Sequence, residues 1–346
     1  MLKPFHGFAL ATLGIAGACA SIPVIGDLAV TVTAHAETVP VGTANEDAAD
    51  DPAIWRNPAE PSKSLIVATD KKGGLYVYNL KGEMLSFMAA PGLNNVDLIG
   101  DAEGNVITVV ASDRADLATA HLSISALLPE TGELILTERI PVGSGEGYGI
   151  CLGEISPDGA FTAFSAPKEG TIYRTRISNG ANGTIEHQTE VLTTVATQPE
   201  GCVVDDRTGT LYIGEEIAGV WAIDMETGAK SLVAPVGTGM LVPDVEGLAL
   251  APEGADGGYL VASSQGDNAY AVYRLPAMTP VGRFRIAAGA FGSTEETDGI
   301  ELDNRNFGPD FPGGLFIAQD GINPPHAQNF KLARWDEILA ALEAGS

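Results

Sequence analysis

Six times along the chain a short acidic or polar opening leads into an apolar, β-prone stretch. The six are Asp50-Asp51-Pro52-Ala53-Ile54-Trp55, Asn94-Asn95-Val96-Asp97-Leu98-Ile99, Gly147-Tyr148-Gly149-Ile150-Cys151-Leu152, Pro199-Glu200-Gly201-Cys202-Val203-Val204, Asp244-Val245-Glu246-Gly247-Leu248-Ala249 and Thr297-Asp298-Gly299-Ile300-Glu301-Leu302. With Asp51, Asp97, Tyr148, Glu200, Glu246 and Asp298 as markers, successive units lie 46, 51, 52, 46 and 52 residues apart. A period of this length is that of four strands with their turns, a unit that buries its apolar faces only against copies of itself. Within the units, paired β-forming runs end in turn residues, as in Leu65–Thr69 followed by Gly73–Tyr78, Leu211–Ile213 by Gly219–Ile223, and Tyr259–Ala262 by Ala269–Tyr273. Helical periodicity is confined to Trp335–Glu343. The expected fold is all-β, a six-bladed β-propeller of four-stranded antiparallel blades whose chain ends meet to close the ring.

In such a ring the first strand of each blade lines the axial channel, so the six markers gather at one mouth. Taken singly, an acid ahead of a strand is a turn former. Six units aiming acids at one face make a different object: Asp50, Asp51, Asp97, Glu200, Glu215, Glu216, Asp244, Glu246, Gln265 and Asp298 form an oxygen-only donor set suited to hard cations, calcium first. No cluster of histidine and cysteine suggests zinc. Basic residues recur at comparable offsets in Asp70-Lys71-Lys72, Asp113-Arg114 and Lys168-Glu169, each after a β run. Since the chain has only 19 Lys and Arg, cations beside the acid ring point to an anion held jointly by metal ions and side chains.

The formal charge is −26, which sets the surface against nucleic acids and anionic membranes. At the N-terminus, Lys3 and an uncharged run from Phe8 to Ala20 fit an export leader, too short to span a bilayer. Cleavage after Ala34-His35-Ala36 would start the mature chain at Glu37; a second small-residue site lies earlier, at Ala18-Cys19-Ala20. The boundary is taken at 36, with a single domain over 37–346 and an exported product, periplasmic or secreted. A lipid anchor on Cys19 is disfavoured by Ala16, where a larger aliphatic residue is expected. Cys151 and Cys202 then share an oxidising compartment, as a disulfide or as two buried thiols.

Several phosphoryl- and acyl-transfer routes lack their residues. There is no Arg-His-Gly, four residues rather than five separate Cys202 from Arg207, and no Gly-x-Ser-x-Gly elbow occurs. Metal-assisted attack by water remains. The ordered set Asp50-Asp51-Pro52-Ala53-Ile54-Trp55, Lys71-Lys72-Gly73-Gly74, Asn94-Asn95-Val96-Asp97, Glu200-Gly201-Cys202, Asp244-Val245-Glu246-Gly247, Ser263-Ser264-Gln265-Gly266, Asp298-Gly299 and Gln319-Asp320-Gly321 resembles the β-propeller (alkaline) phytases from about residue 40 to 336.

The resemblance implies a calcium-dependent hydrolase releasing phosphate from myo-inositol hexakisphosphate, met as its calcium complex, of the 3-phytase type. It implies phosphate contacts from Lys71, Arg114, Tyr148 and Lys168, with Glu200 also catalytic. Several calcium ions would be held by Asp51, Glu200, Glu215 or Glu216, Asp244, Glu246, Gln265 and Asp298, joined by Asn95, Asp97 and Asp320. The segment Gly321–His326 is shorter than in the family. Water is expected to attack phosphorus in line without a phosphoenzyme. No partner chain is required, so a monomer is expected. A calcium-dependent propeller lactonase or esterase, or a non-catalytic exported binding module, are the competing readings; neither needs Lys71, Arg114 and Lys168 to converge.

Overall fold

The computed structural model describes residues 25–100 and 107–345. Six sheets surround one axis. Each of the first five blades is a consecutive antiparallel meander: blade 1 spans Ala49 to Ala89, blade 2 Leu93 to Ser144, blade 3 Gly149 to Thr194, blade 4 Pro199 to Pro235, and blade 5 Val245 to Ala287. Blade 6 takes three strands from the C-terminal end (Ile300–Asp303, Leu315–Asp320, Asn329–Arg334) and its outermost from the other end, Ala36–Glu37, through the pairs Ala36 with Leu332 and Glu37 with Lys331. The ring is thus closed by hydrogen bonds between segments from the two ends of the chain, which pair the outer edge of Asn329–Arg334. The helix Trp335–Ala344 buries Trp335, Ile338 and Leu342 beside blade 5.

Apolar alternation explains the interfaces. Val67, Val77 and Leu75 of blade 1 face Val96, Val109 and Ala111 of blade 2, and equivalent clusters fill the other junctions. The disulfide Cys151–Cys202 crosses from the inner strand of blade 3 to that of blade 4, with Cα atoms 5.6 Å apart.

Two strands fall in the stretch assigned above to the leader. Val30–Thr33 adds a fifth, parallel strand to blade 5 along Phe284–Ala287, and Ala36 opens the closing strand of blade 6. The apolar run Phe8–Ala20 lies outside the described residues.

The inner strands share an irregularity that positions the axial mouth. In blades 1, 2, 4 and 5 the register slips between Ala49 and Pro52, Leu93 and Val96, Pro199 and Cys202, and Val245 and Leu248. Each slip frees two residues from the ladder, namely Asp50-Asp51, Asn94-Asn95, Glu200-Gly201 and Glu246-Gly247. A bulge bends its strand and re-aims the side chains it carries. Four blades therefore turn polar groups inward at the same level.

Candidate active site

At the mouth, Lys71 is buried and its ammonium sits 2.8 Å from Asp47, 3.0 Å from Asp50 and 3.1 Å from Asp298. Burial acts to lower the Lys71 pKa, but Asp50, Asp298 and Asp47 outweigh it and hold the ammonium charged well beyond the ordinary lysine range. Asp298 is braced from its other side by the Gln265 amide, which donates to Oδ1 at 2.5 Å. Across the channel, Glu200, Glu216 and Glu246 bring one carboxylate oxygen each to within 4.8 Å of one another. Burial, then Asp50, pushes Glu200 up to about 7; burial, then Glu200, holds Glu246 well above the ordinary carboxyl range. Burial also raises Asp244 and, together with Asp244, Glu216.

These carboxyl groups are raised because several negative charges share a dry space. Protons or cations must offset them. Two buried oxygens there, Glu246 Oε2 and Asn94 Oδ1, have no hydrogen-bond partner, so the donor set is incomplete as a purely protein network and fits a hard cation. Asn94, absent from the sequence-based site list, is fully buried and donates from Nδ2 to Asp50 at 2.9 Å, to Glu200 at 3.3 Å and to Asn95 Oδ1 at 2.8 Å. It ties blades 1, 2 and 4 together at the axis. Its signal in the sequence was its place in the Asn94-Asn95 pair, where only the second residue was chosen.

The remaining cations form a rim. The Tyr148 ring is approached by Arg114, whose guanidinium carbon is 5.7 Å from the ring centroid, and by Lys168, whose ammonium is 5.2 Å away. Arg114 also meets Glu146 at 3.3 Å. Burial, then Glu200, raises the Tyr148 phenol, which stays neutral and able to donate a hydrogen bond. Lys71, Arg114, Tyr148 and Lys168 come from blades 1, 2 and 3, with Tyr148 within electrostatic reach of Lys71, Glu200 and Glu246, and Lys168 within reach of Glu216.

The remaining expected ligands divide. Asp51 and Asp97 stand one step further down the channel with Glu301, which sequence reasoning missed. Asp51 accepts from the Val96 amide at 3.0 Å and Asp97 from the Leu152 amide at 2.8 Å, each across to the next blade. Burial pushes Asp97 up to about 6; burial, then Asp50, holds Asp51 well above the ordinary carboxyl range, and burial, then Asp97, does the same for Glu301. Glu215 is a correction. Its carboxylate accepts from the Thr197 amide and hydroxyl and from Trp221 Nε1 at 2.7 Å, so both oxygens are engaged away from the cluster, and Glu216 takes the axial place. Asp320 is another: its carboxylate pairs with the fully buried Lys331 at 2.9 Å, which also meets Glu37 at 2.8 Å, in a separate group inside blade 6.

The family profile described as Phytase matches residues 9–345. The chain belongs to the phytase family. Its similarity to the 3-phytase of Bacillus subtilis (strain 168) amounts to 38% identity over 328 residues, covering 90% of this chain and 85% of that protein. This phytase is therefore a hydrolase on a six-bladed β-propeller, with the acid cluster and the cationic rim at one end of its axis. No helix among the described residues is long and apolar enough to cross a membrane.

Proposed function

We propose that this phytase is calcium-dependent and exported, and that it releases phosphate from myo-inositol hexakisphosphate presented as its calcium complex. The observation that carries the reading is the juxtaposition of the Glu200, Glu216 and Glu246 oxygens with four groups able to grip an anion, Lys71, Arg114, Tyr148 and Lys168. Glu200, Glu216, Asp244, Glu246, Asp298 and the Gln265 and Asn94 amide oxygens would hold calcium at the mouth, with Asp51 and Asp97 below. Calcium bound there would offset the acids and add positive charge at the phosphate and its attacking water.

The side chains supply the rest. Lys71 stays charged near neutrality and is anchored by the buried Asp50 and Asp298, and it would meet an equatorial oxygen of the transferring phosphoryl group by exchanging its contact with the exposed Asp47 for the phosphate. Arg114 and Lys168, both over the Tyr148 ring, hold the phosphate, or a neighbouring one on the same inositol ring. The Tyr148 phenol donates to a phosphate oxygen and limits its rotation, which favours one line of attack. Water attacks phosphorus opposite the inositol oxygen, the bond to that oxygen breaks, and no side chain is phosphorylated. A polyanion approaching a chain of charge −26 is accepted only once cations accompany it.

The decisive experiment is phosphate release from inositol hexakisphosphate near pH 7.5 with calcium, after chelation, and after calcium is restored. Loss on chelation and recovery on restoration support the proposal. Equal release in chelator, from protein freed of metal by dialysis, overturns calcium dependence. Trapping of a phosphorylated side chain overturns the direct attack by water.

A further inference from the structure

The segment from Ile25 to Glu37 is built into the propeller. Gly26 N donates to Asp267 at 2.9 Å, and Asp27 N to the Gly239 carbonyl at 2.7 Å. The Asp27 carbonyl accepts from Arg283 at 2.6 Å, a guanidinium that is fully buried and ion-paired with Asp267. Val30–Thr33 then runs parallel to blade 5, and Val32 and Ala34 are buried against a cluster that contains Phe284, Ile286, Trp335 and Ile338. His35 N donates to Leu332 O at 2.7 Å, and Glu37 meets Lys331.

Cleavage after Ala36 would remove all of this but Glu37. It would open the outer edge of blade 5, strip a carbonyl from a buried guanidinium, and uncover part of the core beneath the C-terminal helix. It would also place a new α-ammonium group on Glu37, the partner of a fully buried lysine. Each consequence is unfavourable, and together they are incompatible with a stable closed ring.

We propose that the export leader ends upstream of Ile25, at the small-residue site Ala18-Cys19-Ala20, and that the segment from Ile25 to Ala36 is a permanent staple joining blades 5 and 6. Alternation in Val30-Thr31-Val32-Thr33 carries this meaning: β-branched residues with period two suit a strand, whereas the leader's apolar run, Phe8 to Ala20, lies upstream, with Pro23 and the charge of Asp27 between the two.

The test is the N-terminus of the exported protein. The full precursor is expressed with its own leader, recovered from outside the cytoplasm, and its intact mass and N-terminal peptide are determined. A start between Cys19 and Ile25, with or without lipid on Cys19, supports the proposal; an uncleaved leader, or a start at any later residue, Glu37 above all, overturns it. A second arm compares leaderless chains beginning at Ser21 and at Glu37, both made in an oxidising cytoplasm. The shorter chain is expected to unfold at a temperature lower by roughly 10 °C, or to fail to fold. Equal unfolding temperatures would remove the physical basis and likewise overturn the proposal.

Discussion

Glu215 and Glu216 are adjacent in sequence and opposite in duty. Glu215 ends a strand and spends both oxygens on Thr197 and Trp221, while Glu216 begins the turn and reaches the axis. Glu215→Gln should leave calcium affinity and turnover close to the parent and lower stability by about 1–2 kcal/mol, since a buried acceptor of three hydrogen bonds is perturbed. Glu216→Gln should do the reverse, weakening calcium binding and phosphate release with little change in unfolding; titration calorimetry and chemical denaturation distinguish the two. Lys71→Met should cut kcat by roughly 100- to 1000-fold, the scale of losing one fixed charge on a transition-state oxygen. If Lys71→Met turns over within tenfold of the parent, Lys71 is structural only. The sequence could name the Glu215-Glu216 pair but not choose within it, because the choice depends on where a strand stops. Asn94 was hidden for a related reason: it and Asn95 are the same residue type side by side, and which of the two faces Asp50 and Glu200 is set by the bulge.

Bulges and glycines are the devices that bring the elements together. A Cβ on Gly201 would lie 2.1 Å from the Glu246 carbonyl oxygen, and one on Gly299 would lie 2.3 Å from Asp51 Oδ1 and 2.6 Å from the Asp50 carbonyl oxygen. Each glycine follows a site residue and lets the next blade's backbone touch it. Gly201→Ala is expected to spread blades 4 and 5 and to lower calcium affinity more than it lowers the unfolding temperature, because Glu200 and Glu246 move apart while the outer strands stay packed. The disulfide acts on the neighbouring junction. Replacing Cys151 and Cys202 together by Ala should cost up to about 4 kcal/mol in denaturant unfolding, the loop-entropy scale for a separation of 51 residues. The period and most strands were legible in the sequence, since alternation and turn residues report local geometry directly. The bulges were not: a slipped register looks like any polar dipeptide ahead of a strand until its partner strand is known.

For the whole molecule, the −26 charge acquires a location, with a buried part of it along the axis. Glu200 at about 7, Asp97 at about 6, and Glu246, Asp298 and Glu301 above their ordinary range all bind protons more readily folded than unfolded. Without calcium, the folded state therefore holds more protons between the unfolded carboxyl values near 4 and these raised values. Stability of the chelated protein should fall as pH rises from 5 to 8. Calcium held there as proposed would displace those protons and bind more tightly as pH rises, so with excess calcium the trend should flatten or reverse. Scanning calorimetry at pH 5, 6.5 and 8 with and without chelator checks both; a chelated protein that gains stability toward pH 8 would show the axial acids to be ionised and otherwise compensated. Composition announced the charge but not its burial, because only ring closure turns residues some fifty positions apart into neighbours. That closure is made by Ala36–Glu37 lying beside Asn329–Arg334, two segments separated by almost the full length of the chain. A ribosome or translocon releases one long before the other. Because Asp298 reaches the mouth from the last-made blade, phosphate release in a refolding experiment is expected to begin only after that blade has paired with Ala36–Glu37, and release that precedes this pairing would separate the mouth from ring closure.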